Sequence, residues 1–565
     1  MTRQAKQPDQ ADGLVPPSGA RSEVEALVNT LDLEGLLAAQ AAIHLWNGEM
    51  PLKLLPNHLT VRRVLEMHSG QGHGRATLVK TRRILQLLYQ DVETTSGLNP
   101  LAPITLGSSS EEPDAGAAYL QRASELVEGG PDLGEAVIYV LGRFRSFDPQ
   151  LRRKLGFTSD EVCRFIWWMI HRLGPAVAGF RGEMAKFKWY DRHPHKYAGE
   201  ILLPPVVFFE MVRDALILSA DTLGKLPTIG LNPAVPRFLA AEHKDLAEPF
   251  PSITRWSFLR RRDGGLQLLE PQILDRELPS ALHWGLVQTL DAHELGEYNR
   301  RSGTAFEEVV ARRISRHWPE VVTRPNVRQD AQSPEIDLLL ELAGRGLVLV
   351  QCKARPLSPK GRWGANRAFY LDMERTILRA ALQARACENA FGTNRVVANL
   401  IVLEAYFPAI SLQAVLQGTI GQALQGLVRP LVINYFDLDY MLAKVSSAAL
   451  EEYLNWREER LRLQTTIPID EFDMVRAFLI RHEARWDVGE NKQVHVTIIG
   501  DDKDYQKACL EEADNMLAFD REKDLLLGPP PTYLRVFTEK GREAADALIP
   551  SLRDARPSRD DRERS

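Results

Sequence analysis

PEIDLLLELAGRGLVLVQCKA, residues 334–354, decides how this chain is read. Two apolar runs, Pro334–Leu342 and Gly346–Ala354, flank Ala343-Gly344-Arg345, which predicts a β-hairpin. A three-residue loop over Ala343–Arg345 sets Asp337 opposite Gln351. The period-two alternation of a strand then places Asp337, Gln351 and Lys353 on one face. A change of one residue in loop length would undo that register. Just upstream, GTAFEEVVARRI (Gly303–Ile314) has helical spacing, with Phe306, Val309, Val310 and Ile314 on one side. Glu307 lies at the edge of that apolar face and can reach inward beside the sheet. Glu308 points nearly opposite, as a solvated charge.

Two carboxylates and a lysine at the end of a small sheet are the parts of a metal-dependent phosphodiesterase. A hard cation such as Mg²⁺, or Mn²⁺ in its place, takes oxygen ligands and keeps several waters. Asp337 is its expected anchor, Glu307 a ligand directly or through water, and the backbone carbonyl of Cys352 a further oxygen. Lys353 would stabilise developing charge or orient the attacking water. Gln351 is neutral and is expected only to position a water or a metal-bound oxygen, so the set points to one strong metal position. The Cys352 thiol is expected to be a small buried hydrophobe.

The order of these parts, followed by a helix and a strand, resembles the PD-(D/E)XK nuclease superfamily. Its Gln-x-Lys form is similar to the Mrr-like restriction endonuclease branch. Phe306-Glu307 stands where that branch has its Phe-Glu pair, Ile336-Asp337 where it has an apolar residue and Asp, and Gln351-Cys352-Lys353 where it has Gln-x-Lys. Pro334 precedes Glu335 and not the aspartate, so the literal Pro-Asp is absent and Glu335 is a spare acid or a bystander. The resemblance covers residues 300–445. It implies an αβββαβ core and Mg²⁺-dependent cleavage of DNA, with RNA as the other substrate. It also implies a place in restriction or anti-phage defence, alongside partner proteins of such a system. One core supplies one site, so cutting both strands calls for a homo-oligomer. The helix after Lys353, from about Tyr370 to Ala390, resembles the one that supplies a glutamine or basic residue in this superfamily. Arg375, Arg379 and Gln383 are spaced by four along it and share one face, with Gln383 the site candidate and Arg379 a phosphate contact. The rival is a catalytically silent nucleic-acid-binding or scaffold protein that keeps a degenerate core.

The remaining sequence predicts a multidomain α plus α/β chain. Its 565 residues suggest about three or four domains. Residues 1–22 read as disordered and 23–253 as mainly helical, with a linker near 99–118. Residues 254–299 read as a hairpin around Asp263-Gly264-Gly265 and a helix, leading to the core at 300–445. Residues 446–555 read as a small C-terminal α/β region containing a strand at Gln493–Gly500, and 556–565 as a disordered tail. Lys and Arg number 70 against 75 Asp and Glu, a formal charge of −5, so any basic surface for nucleic acid must be local. No apolar run reaches the ~18–20 residues of a membrane span, and no signal peptide opens the chain. With four cysteines and no CxxC, a cytoplasmic protein is the expectation.

Three other stretches carry less. Gly70, Gly72 and Gly74 lack the Gly-Lys-Ser/Thr of a phosphate loop and read as a flexible loop. KFKWYDRHPHKY (Lys186–Tyr197) is better read as a packed amphipathic loop than as a base-stacking one, and its His193-x-His195 lacks a third metal ligand. Phe165–Met169 reads as helix core, and Thr158 as a helix cap.

Overall fold

β6 (Ile336–Leu342) and β7 (Gly346–Lys353) pair antiparallel at the centre of a five-stranded sheet. Their loop is Ala343–Arg345, with Leu342 opposite Gly346. Gly344 adopts φ 70° and Gly346 φ 132°, conformations that favour glycine. β5 (Val322–Val327) lies antiparallel on the outer side of β6. β8 (Val396–Leu403) and β9 (Pro430–Asn434) continue the sheet in parallel from β7, giving the order β5-β6-β7-β8-β9. All eight residues of β8 are buried, as expected of a parallel strand covered on both faces.

The computed structural model describes residues 19–47, 57–96, 133–170, 201, 203–204, 206–246, 257–269, 273–329, 331, 334–358, 366–404, 418–463, 471–480 and 502–517. The linker near 99–118, Lys186–Tyr197, the strand at Gln493–Gly500 and the tail lie outside them. Four helices come first: α1 (Gly19–Thr30), α2 (Leu33–Asn47), α3 (Asn57–Met67) and α4 (Leu78–Ser96). Helix α1 begins at Gly19, so the stretch expected to be disordered up to residue 22 is partly helical. The glycine loop between α3 and α4 is pinned, not loose. Gly74 N donates to Thr30 O at 2.9 Å, Asp32 N to Gly74 O at 2.6 Å, and a Cβ on Gly72 would lie 2.0 Å from Leu31 O. Glycine is needed there for close backbone approach.

Helix α5 (Leu133–Phe144) is buried along most of its length. Residues 159–170 are helical and start on Thr158, whose Oγ1 accepts from Glu161 N while Glu161 Oε2 accepts from Thr158 N. A small sheet follows, ordered β1 (Ile217–Leu218), β4 (Leu266–Leu268), β3 (Phe258–Arg260), β2 (Ala240–Ala241). The predicted Asp-Gly-Gly hairpin joins β3 and β4, whereas β1 and β2 fall in sequence that reads as helical.

Helices α6 (Ile273–Val287) and α7 (Ala292–His317) lead to the larger sheet. Asp291 and Glu294 form a reciprocal capping box that starts α7, so Gly303 lies mid-helix and residue 300 falls inside α7. Between β7 and β8 run α8 (Asn366–Met373), one π-helical turn (Glu374–Leu378) and α9 (Arg379–Phe391). Helix α10 (Gly418–Gln425) precedes β9 and α11 (Tyr435–Lys444) follows it. One face of the sheet packs Leu338, Val348, Val350 and Cys352 with Phe306, Val309 and Val310 of α7. The other packs Leu349 with Cys387 and Phe391 of α9, and Ile401 with Ile377, Ala380 and Ile420. Burying a side chain such as Phe306 contributes roughly 2–3 kcal/mol.

Behind α7 lie α12 (Leu450–Leu463), α13 (Glu471–Ile480) and α14 (Lys503–Leu517). Helix α14 touches α5 closely: a Cβ on Gly134 would lie 2.7 Å from Leu510 N. Arg313 of α7 grips Asp439 of α11 through two 2.6 Å hydrogen bonds and reaches Glu512 of α14 at 2.8 Å. Among the described residues no helix is long and apolar enough to cross a membrane.

Candidate active site

The β6–β7 ladder runs from Leu342↔Gly346 to Leu338↔Val350 and stops one pair short of Asp337 and Gln351. The predicted register therefore holds to the edge of the site, where the strands part. Lys353 O accepts from Glu404 N on the β8 side. Because successive residues of a strand turn their backbone groups to opposite neighbours, Cys352 directs its N–H and C=O toward β6. Its N–H donates to Asp337 Oδ2 at 2.7 Å, and its carbonyl faces the same opening.

Lys353 Nζ sits 3.7 Å from Asp337 Oδ2, 3.4 Å from Gln351 Oε1 and 3.4 Å from Gln383 Oε1. Three oxygens thus hold one ammonium at the end of β7. Gln383 also donates to Glu335 O at 2.7 Å, bridging α9 to the start of β6. Gln351 is fully buried and reaches the same carbonyl at 3.5 Å. Glu307 arrives from α7, on the opposite side of the sheet from α9. Its neighbours in α7 match the expected faces: Phe306 and Val310 are fully buried and Glu308 is exposed.

The electrostatics tie Glu307 to the rest. Burial, then the negative charge of Asp337, push its carboxyl up to about 7, against the pull of Lys353. Burial also raises Asp337, opposed by Lys353 and the Cys352 N–H. Two carboxyls therefore share one lysine, and the pocket is short of positive charge at neutral pH. Glu335 pairs with Arg328 at 3.0 Å, and its charge adds to the upward push on Glu307 and Asp337. The Cys352 thiol is buried, and burial raises it well above the ordinary thiol range.

Arg379 lies one turn before Gln383 on α9 and is exposed. Arg375 lies in the π-helical turn and, like Arg379, is exposed. Sequence reasoning passed over Glu404, an acid closing an apolar strand, whose link to Lys353 is visible only once β7 and β8 are paired.

Glu307 and Asp337 are coupled electrostatically, and the Cys352 backbone lies beside Asp337. Among the described residues no group of three or more His, Cys, Asp or Glu side chains is disposed to hold a metal ion. A cation held here would need waters to complete its shell. Comparison with protein-family models, with curated proteins and with solved structures gives no match.

Proposed function

We propose that this protein is a divalent-metal-dependent nuclease that hydrolyses phosphodiester bonds of DNA at Glu307, Asp337, Gln351 and Lys353. One observation carries it. Lys353 Nζ converges on Asp337, Gln351 and Gln383 where the β6–β7 ladder opens, and Glu307 is electrostatically coupled to the same point. The order of α7, β5, β6, β7, α9 and β8 supports the αβββαβ core of the PD-(D/E)XK superfamily, with β9 added at one edge.

Asp337, Glu307 and the Cys352 carbonyl would hold Mg²⁺ or Mn²⁺. Such an ion, when bound, supplies polarisation of the phosphate and a more acidic water. Lys353 is held by side-chain oxygens at its tip, so its charge is placed before substrate arrives and needs little reorganisation. Without a metal, burial and Asp337 raise the Glu307 carboxyl, so a cation binding there would displace a proton. Gln351 and Gln383 orient Lys353 and carry no charge that would compete with phosphate. Arg379, exposed one turn from Gln383, is placed to meet a backbone phosphate.

A role in restriction or anti-phage defence, and pairing of two copies for double-strand cutting, belong to the same proposal. Supercoiled plasmid, linear duplex and single-stranded RNA, each incubated with Mg²⁺, Mn²⁺ or EDTA, test it. Metal-dependent cutting of DNA is expected; cutting of RNA alone would change the substrate and keep the site. The second reading, a silent core, draws on the two-carboxylate count, and Gln351→Glu tests it. A silent core would bind Mn²⁺ no better after that change.

A further inference from the structure

Beside the site, and outside the motif, lies a buried ionic cluster. Arg143 of α5 is 0 % exposed. Its Nε donates to Glu404 Oε1 at 3.1 Å and its Nη2 donates to Ser302 Oγ. Tyr139, one turn earlier, donates its hydroxyl to the same Glu404 oxygen at 2.6 Å. One partner lies on an element that carries part of the site, and the other is hydrogen-bonded to one. Ser302 is on α7, five residues before Glu307. Glu404 follows β8, and its backbone N–H donates to Lys353 O at 3.1 Å. Phe306, beside Glu307, meets the Tyr139 ring edge-on with centroids 6.4 Å apart.

We propose that Arg143 is a positioning residue of the site. From the helical N-terminal half, its planar guanidinium sets the helix bearing Glu307 against the strand bearing Lys353. The role rests on the nuclease reading given above. Apolar packing holds α7 on the sheet but is non-directional. A guanidinium fork imposes angles as well as contact, and a lysine in its place would not. The cluster is incomplete as a stabilising device: Arg143 Nη1 and Glu404 Oε2 are buried with no hydrogen-bond partner among the described residues. Buried ion pairs contribute little net stability to begin with, so placement is the better account of the cluster. Displacing a reacting group by ~1 Å costs on the order of 100-fold in rate, so a small loss of angle would register.

The test uses the full chain with Ser302→Ala, which removes only the α7 branch, Ser302→Thr, which restores a hydroxyl, and Arg143→Lys. Urea unfolding reports folding, calorimetric Mn²⁺ titration reports the site without turnover, and plasmid cleavage reports kcat and KM. Ser302→Ala is expected to fold like the wild type, bind Mn²⁺ more weakly, and lose about tenfold in kcat with KM unchanged. Ser302→Thr is expected to recover most of both. Ser302→Ala and Arg143→Lys that fold, bind Mn²⁺ and cleave like the wild type would overturn the positioning role and leave the nuclease reading standing. Should Arg143→Lys fail to fold, the Ser302 pair decides alone. A wild type that neither cleaves nor binds Mn²⁺ in an Asp337-dependent way would sink both. Asp337-dependent Mn²⁺ binding without cleavage, weakened by Ser302→Ala, would sustain the positioning role and remove only the activity.

Discussion

The backbone N–H of Cys352 donates to Asp337 Oδ2 at 2.7 Å, beyond the last rung of the β6–β7 ladder. A side-chain oxygen thus takes the place of a main-chain partner, which fixes the carboxylate at the mouth of the strand pair. Asp337→Ala leaves that buried N–H without its acceptor, at a cost of ~1–3 kcal/mol. Asp337→Asn keeps an oxygen there and removes a charge that Glu307 opposes. In EDTA, urea unfolding should therefore rank Asp337→Asn within about 1 kcal/mol of the wild type and Asp337→Ala below both.

Glu307 links metal to stability through pH. Its carboxyl titrates near 4.5 when unperturbed and at about 7 in the folded chain, through burial and then Asp337. Between those values the folded state binds more protons than the unfolded one, so metal-free stability falls as pH rises through that window. For a half-buried carboxyl, screened by solvent, the loss is on the order of 1–2 kcal/mol by pH 8. Glu307→Gln removes it. In EDTA the variant should match the wild type at pH 4 and exceed it at pH 8, while cleavage is lost. The wild type should also bind Mn²⁺ more tightly at pH 8 than at pH 6, because the proton must leave first.

Gln383 holds both Lys353 and the start of β6. Gln383→Ala takes from Glu335 O its shorter hydrogen bond and removes one of the three oxygens around Lys353. A loss of ~1 kcal/mol in stability is expected. Cleavage should fall by about tenfold in kcat at unchanged KM, the pattern of a group that matters more in the transition state. A raised KM at unchanged kcat would point to DNA binding instead.

Away from the site, Asp439 is a test of how α7 is anchored. Burial raises its carboxyl, but hydrogen bonds from His317 and Arg313 outweigh burial and hold it at about 2. A depressed carboxyl contributes stability above its unfolded value of 3.8, and that contribution is lost as pH falls through about 2. Asp439→Asn should cost about 3 kcal/mol at pH 7, with Arg313 keeping Glu512, and the gap should close toward pH 2. Urea titrations at pH 7 and pH 3 check it.

The hairpin, its register and the inward Glu307 were legible because alternation, a glycine-bearing loop and a helical stripe agree at those residues. β5 was not: Val322–Val327 is a mostly exposed edge strand with Pro325 in it, so it has no apolar face to read. The start of α7 was legible in principle from Asp291 and Glu294, yet the helical pattern from Leu282 onward masks the break. The π turn at Glu374–Leu378 has no local signal in the sequence. Arg143 and Glu404 are 261 residues apart, and only the folded chain brings them together.

The most direct measurement is cleavage of supercoiled plasmid by the purified wild type in Mg²⁺, Mn²⁺ or EDTA, beside folded Asp337→Asn and Lys353→Ala. Metal-dependent cutting that falls at least ~10³-fold in Asp337→Asn and ~10²-fold in Lys353→Ala is the predicted result. Cutting that survives both substitutions, or its absence from the wild type with every metal, would contradict a nuclease site at Asp337 and Lys353.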